Sequence, residues 1–120
     1  MINYEEIRKT CEETNITNDL TIIVDTISGL LPQAKIYLFG SFVNGTPHMY
    51  SDLDLCVVVP TLDRNRFEMM DEIHTAIHDS TEYKYPIDLL LFSALEFEKN
   101  VGSKSRVQYE VAHKGVLLNA

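Results

Sequence analysis

The sequence predicts an α/β fold in which a small mixed β-sheet is flanked by helices. Two apolar patterns alternate along the 120 residues. One has helical spacing, as at Leu20, Ile23 and Ile27, and the other consists of short apolar runs bounded by Gly or Pro. Because 45% of the residues are hydrophobic and no linker or repeat interrupts the chain, residues 1–120 are expected to form one domain.

The N-terminal half is predicted to contain two helices and two strands. The helices cover about residues 3–14 and 18–31, and Pro32 ends the second one. The first strand, 35–39, leads into a Gly40-Ser41 turn and a loop marked by residues 45–47. The second strand, 53–59, is apolar on both faces beyond Asp54, as expected of a central strand.

The C-terminal half is predicted to add a helix over about 62–79, a strand over 87–92 and two short helices. In the long helix, Phe67, Met70, Ile73 and Ile77 should face the core. Ser93 and Glu96 form a capping box that opens the first short helix. Ser103 or Ser105 should open the second, with Gly115 as its C′ residue, and residues 116–118 should form an edge strand.

Charge is distributed unevenly over a chain whose net charge is −8. Residues 1–98 hold 17 acidic and 6 basic side chains, whereas residues 99–120 hold 4 basic ones (Lys99, Lys104, Arg106 and Lys114) and only Glu110. The acidic body argues against binding of long nucleic acids but leaves a small phosphate ligand open. The basic segment is either a phosphate contact or a solvated helix face.

Localisation follows from what the sequence lacks. No apolar run approaches the ~20 residues that span a bilayer, and the N-terminus has no apolar signal core. The two cysteines, Cys11 and Cys56, match no metal or redox spacing, so we expect core thiols in a reducing compartment. These features predict a cytoplasmic protein without a membrane contact.

Three aspartates and one turn are the candidate chemical groups. Asp52 and Asp54 are alternate residues of a strand, so their side chains share a face about 7 Å apart. Asp88 lies in an apolar strand, where an unpaired carboxylate is costly. If the two strands are neighbours, the carboxylates can converge on Mg²⁺ or Mn²⁺. The Gly40-Ser41 turn can present backbone N–H groups to an anion.

Together, Gly40-Ser41, ten further residues, Asp52-Leu53-Asp54 and a later strand aspartate resemble the minimal nucleotidyltransferases of the polymerase-beta superfamily. The resemblance extends to residues 111–118 and implies the nucleotidyltransferase fold. It further implies adenylyltransferase-type transfer of AMP from ATP to a hydroxyl. In that case Gly40 and Ser41 would bind the triphosphate, and Asp52 and Asp54 would ligate two Mg²⁺ ions. Asp88 would ligate the catalytic metal and help to deprotonate the acceptor.

The sequence departs from this family after the turn. Relatives commonly carry arginines there, whereas Phe42-Val43-Asn44 has no basic side chain. Phosphate charge would then be met by metal, backbone and Lys104 or Arg106.

The resemblance also implies a protein partner. Small relatives are often antitoxins that transfer AMP to a tyrosine of a HEPN-domain RNase toxin. Two alternatives stay open: a module that neutralises a HEPN partner by occlusion without chemistry, and the catalytic subunit of a split nucleotidyltransferase. The acceptor, the base preference and homo-oligomerisation are not fixed by the sequence.

Overall fold

The structure, a computed structural model, describes residues 17–44, 52–81 and 86–119. In chain order its elements are α1 (Thr17–Leu30), β1 (Lys35–Phe39), α2 (Ser41–Asn44), β2 (Leu53–Val59), α3 (Arg66–Ser80), β3 (Ile87–Ser93), α4 (Ala94–Asn100), α5 (Val107–Lys114) and β4 (Val116–Leu117). The predicted helix at 3–14, the loop at 45–47 and Cys11 lie outside the described residues.

The strands form one mixed sheet in the order β3-β2-β1-β4. β1 pairs antiparallel with β2 and with β4, and β2 pairs parallel with β3. The predicted central position of strand 53–59 is confirmed, as is the small mixed sheet flanked by helices. None of the described helices is long and apolar enough to cross a membrane.

The two faces of the sheet carry separate apolar cores because strand side chains alternate. On one face α1 and α3 cover the odd-numbered residues of β2, including Leu55 and Val57. On the other face α4 and α5 cover Cys56 and Val58, together with Phe39. Cys56 is a free and fully buried core side chain, as predicted, and this burial raises the pKa of its thiol to about 12. Asp54 has the same parity as Cys56 and therefore lies on the α4 and α5 side.

The start of α3 and the burial of Phe67 were predicted wrongly. The helix begins at Arg66, because the Asn65 side chain caps it by accepting hydrogen bonds from the Phe67 and Glu68 amides (2.9 and 3.2 Å). Its buried stripe is Met69, Ile73 and Ile77. Phe67 precedes that stripe by two residues, about 200° around the helix, and is 71% exposed.

The start of α5 also differs from the prediction, whereas Gly115 follows its last residue as predicted. The helix begins at Val107, and its N-cap, Arg106, makes no side-chain cap. The Ser103 and Ser105 hydroxyls hydrogen-bond to each other instead (3.3 Å). Gly115 has an extended backbone, with φ −77°, in place of the left-handed form usual at C′.

Two predicted features of the C-terminal half are confirmed. Ser93 and Glu96 form the capping box of α4. The predicted strand over 87–92 is present as β3, Ile87–Ser93, with Leu89 and Leu91 buried and Ile87 packed against the same core. The edge strand 116–118 is present but shorter, as Val116–Leu117.

Candidate active site

Asp54 and Asp88 lie side by side at one end of the sheet. They are register partners on the parallel strands β2 and β3. Neighbouring strands are about 4.8 Å apart, so two carboxylates in register are close neighbours. Asp54 is half-buried and Asp88 is exposed, which leaves this pair open to a ligand from solvent.

The surroundings of Asp54 make its ionised form costly. Burial is the largest cause, and the negative charges of Asp88 and Asp52 add to it. A protonated Asp54 also donates a hydrogen bond to Asp88. Together these effects raise the pKa of Asp54 to about 6, because its ionised form is poorly solvated and is repelled by the neighbouring carboxylates.

The Gly40 backbone lies directly against the Asp54 carboxylate. Phe39, the last residue of β1, is the register partner of Asp54. Gly40 then turns the chain with φ +79°, a conformation that side chains rarely adopt. A Cβ at this position would lie 2.0 Å from Oδ2 of Asp54. Glycine is therefore required here both by conformation and by contact.

The next residue, Ser41, begins the single turn α2 and is half-buried. The Val43 amide donates to the Gly40 carbonyl (3.0 Å), and the Val43 side chain is buried, which anchors the turn on the core. The turn and the carboxylate pair thus lie at the same end of the sheet.

A fourth carboxylate acts electrostatically on this site and was not predicted from the sequence. Glu110 of α5 is half-buried, and its charge is one of those that raise the pKa of Asp54. The sequence contained one signal for it, since Glu110 is the only acidic residue among residues 99–120. The effect of Glu110 on Asp54 depends on the packing of α5 on the sheet, which local sequence does not reveal.

The predicted phosphate contacts Lys104 and Arg106 lie near the other end of α5. Both are exposed and belong to the connection between α4 and α5. An eight-residue helix is about 12 Å long, and the opposite end of α5 leads into β4, which pairs with β1. A phosphate-binding role for Lys104 and Arg106 stays a prediction.

The donor set suits a hard divalent cation. Carboxylate oxygens are the preferred ligands of Mg²⁺ and Mn²⁺, and a cation between Asp54 and Asp88 would relieve their repulsion. In the ranges 17–44, 52–81 and 86–119, no three His, Cys, Asp or Glu side chains already enclose a metal position. A metal site made by all three aspartates would therefore require Asp52 and Asp88, which are both exposed, to move from their positions in this structure.

Comparison with known proteins gives one family match. Residues 20–113 match the family model described as a nucleotidyltransferase domain. No curated protein matches the chain significantly.

Among solved structures, a protein of Sulfolobus solfataricus provisionally identified as a nucleotidyltransferase aligns with a TM-score of 0.59. Its identity is 19%, over 90% of this chain and 85% of that one. This likeness shows the nucleotidyltransferase fold. A toxin-antitoxin crystal structure with AMP-PNP aligns with a TM-score of 0.49 and 26% identity, over 81% of this chain and 69% of that one.

Proposed function

This chain belongs to the nucleotidyltransferase domain family, and from that premise we propose that it is a metal-dependent nucleotidyltransferase. Its reaction would transfer a nucleoside monophosphate, AMP from ATP, to a hydroxyl group. The observation that carries the proposal is the register of Asp54 with Asp88, beside a glycine turn that leaves room for the Asp54 carboxylate.

The three aspartates can supply the metal ligands and the proton acceptor that nucleotidyl transfer requires. Asp52, Asp54 and Asp88 would hold Mg²⁺ ions, which when bound supply charge neutralisation at the phosphates and acidify the acceptor hydroxyl. Asp88 is exposed and can take the proton of that hydroxyl. The hydroxyl oxygen bonds to the α-phosphorus as the bond to the bridging oxygen breaks, and pyrophosphate leaves.

The acceptor that we propose is a tyrosine hydroxyl on a HEPN-domain partner protein. This part of the proposal is supported by the resemblance of Gly40-Ser41 and the three aspartates to the minimal nucleotidyltransferases. An antitoxin role follows if modification of the tyrosine inactivates the partner. Gly40 and Ser41 would bind the triphosphate that supplies the AMP.

A transfer assay with radiolabelled ATP tests the proposal. The protein is incubated with Mg²⁺, ATP labelled at the α-phosphate and the product of the neighbouring gene as the candidate partner. The mass of that partner is then measured by mass spectrometry. We expect the partner to gain the mass of one AMP. Asp54→Asn with Asp88→Asn should lower the rate by about 100-fold or more, because both lost charges are cation ligands.

The matched control is Asp25→Asn, which removes an exposed carboxylate from α1 and should leave the rate unchanged. Transfer that continues at the wild-type rate in the double variant would overturn the proposal. If the double variant binds and inhibits the partner without changing its mass, the result would favour the alternative in which the protein neutralises its partner by occlusion.

A further inference from the structure

The end of α5 that approaches the Gly40-Ser41 turn is its C-terminal end. β4 follows the helix directly, and its Val116 is the register partner of Leu38, two residues before Gly40. A Cβ on Gly115 would lie 2.5 Å from the Val111 carbonyl oxygen and 3.3 Å from that of Leu38. Glycine at 115 thus lets the helix end pack directly against β1, and Lys114 is the residue just before it.

Lys114 lies on the same side of α5 as Glu110. Residues four apart on a helix lie one above the other, so Lys114 follows Glu110 along one side. Val111, between them, packs in the same core cluster as Phe39, the register partner of Asp54. Glu110 acts electrostatically on Asp54, which indicates that this side of the helix faces the site.

The Lys114 ammonium is available to a ligand. The side chain is exposed, and within the described parts of the chain no carboxylate lies within 4 Å of its nitrogen. Arg64 and Arg66 differ, because they pair with Glu72 and Glu96. The negative end of the helix dipole favours a cation at this position.

We propose that Lys114 binds the phosphate oxygens of the nucleotide beside the Gly40-Ser41 turn. The inference rests on the proposed function and deepens it, since it assigns a cation to a turn whose own residues 42–44 have none. A triphosphate next to four carboxylates needs positive charge beyond the backbone N–H groups, and an ammonium forms charge-assisted hydrogen bonds to phosphate. Lys104 and Arg106 are the rival cations, at the far end of α5.

Titration calorimetry with Mg²⁺ and α,β-methylene ATP, which cannot transfer AMP, tests this assignment. We expect Lys114→Gln to raise the Kd by about 5- to 20-fold, the effect of one lost charge-assisted contact. Lys114→Arg should stay within about threefold of wild type because it keeps the charge. The Kd for AMP should change less than that for the triphosphate analogue, because AMP lacks the outer phosphates.

Lys35→Gln is the matched control, since it removes the same charge from an exposed position at the opposite end of β1 from Gly40 and should change the Kd by less than about twofold. Wild-type-like binding by Lys114→Gln, or a larger loss in Lys104→Gln or Arg106→Gln, would overturn the inference while leaving the proposed function intact. Absence of nucleotide binding by the wild-type protein would overturn both. Because Lys114 is exposed, circular dichroism and thermal unfolding should show both variants folded as wild type.

Discussion

A Cβ on Gly40 would lie 2.0 Å from Oδ2 of Asp54, so the turn after β1 and the carboxylate on β2 cannot be changed independently. The contact joins the two halves of the Gly-Ser and Asp-x-Asp pattern, which are separated by ten residues in the sequence. It explains physically why the turn begins with glycine. It also provides the first prediction.

Gly40→Ala should damage both the fold and the site. The new methyl group must displace the Asp54 carboxylate, and the left-handed backbone, with φ +79°, is strained for alanine. We expect a loss of about 1–3 kcal/mol in the free energy of unfolding, measured in urea, and loss of Mg²⁺-dependent transfer.

Gly29→Ala is the matched control for that change. Gly29 lies in α1, and a Cβ there would meet no atom within 4 Å. Alanine should stabilise the helix by about 0.5–1 kcal/mol without affecting transfer. Equal stability of wild type and Gly40→Ala would contradict the contact with Asp54.

Asp54→Asn should stabilise the metal-free protein at neutral pH. The pKa of Asp54 is raised to about 6 from its ordinary 3.8, so the charged form is penalised in the folded state. The penalty is absent below pH 4 and grows as the pH rises through 6, so stability from this group is lost with rising pH. Allowing for solvent screening of a half-exposed group, the gain at pH 7 is on the order of 1 kcal/mol.

Urea unfolding in EDTA at pH 4 and at pH 7 measures this effect. The stabilities of variant and wild type should converge at pH 4 and diverge at pH 7. Added Mg²⁺ should stabilise the wild type and leave Asp54→Asn unchanged, because the cation binds only the folded site. A variant less stable than wild type at pH 7 in EDTA would show that Asp54 is not under electrostatic stress.

Ser93→Ala should destabilise the junction between β3 and α4. The Ser93 hydroxyl accepts a hydrogen bond from the Glu96 amide (3.2 Å), and the Ser93 amide donates to the Glu96 carboxylate (2.9 Å). Losing the hydroxyl leaves a helix amide without its cap and should cost about 1 kcal/mol in urea unfolding. Ser105→Ala, outside any cap, should cost less than half as much, and equal costs would count against the capping role.

Much of the fold was predictable because it depends on local patterns. The apolar runs of β1, β2 and β3 and the capping box at Ser93 are readable within a few residues of sequence. The features predicted wrongly depend on competition between neighbouring signals. The start of α3 was predicted at about residue 62, yet the Asn65 cap starts the helix four residues later, at Arg66. Phe67 is exposed because the buried stripe of this helix runs through Met69, Ile73 and Ile77.

The candidate site likewise has features that local sequence predicts and features that only the packing of the fold determines. The spacing of Gly40, Asp52 and Asp54 is local, and a third carboxylate was inferred from the cost of placing Asp88 in an apolar strand. The parallel register that sets Asp88 beside Asp54 depends on the packing of the whole β2–α3–β3 unit. The effect of Glu110 on Asp54 and the role that we propose for Lys114 both depend on the packing of α5 against β1, which the sequence pattern does not predict.

Binding of Mn²⁺ by the Asp88→Asn variant tests the central claim most directly, because the claim requires β2 and β3 to share the same cations. Electron paramagnetic resonance can count bound Mn²⁺ in the presence of α,β-methylene ATP. We expect about two ions per wild-type chain and a loss of at least one ion in Asp88→Asn and in Asp54→Asn. Unchanged Mn²⁺ binding by Asp88→Asn would contradict a shared metal site and the transfer chemistry proposed for it.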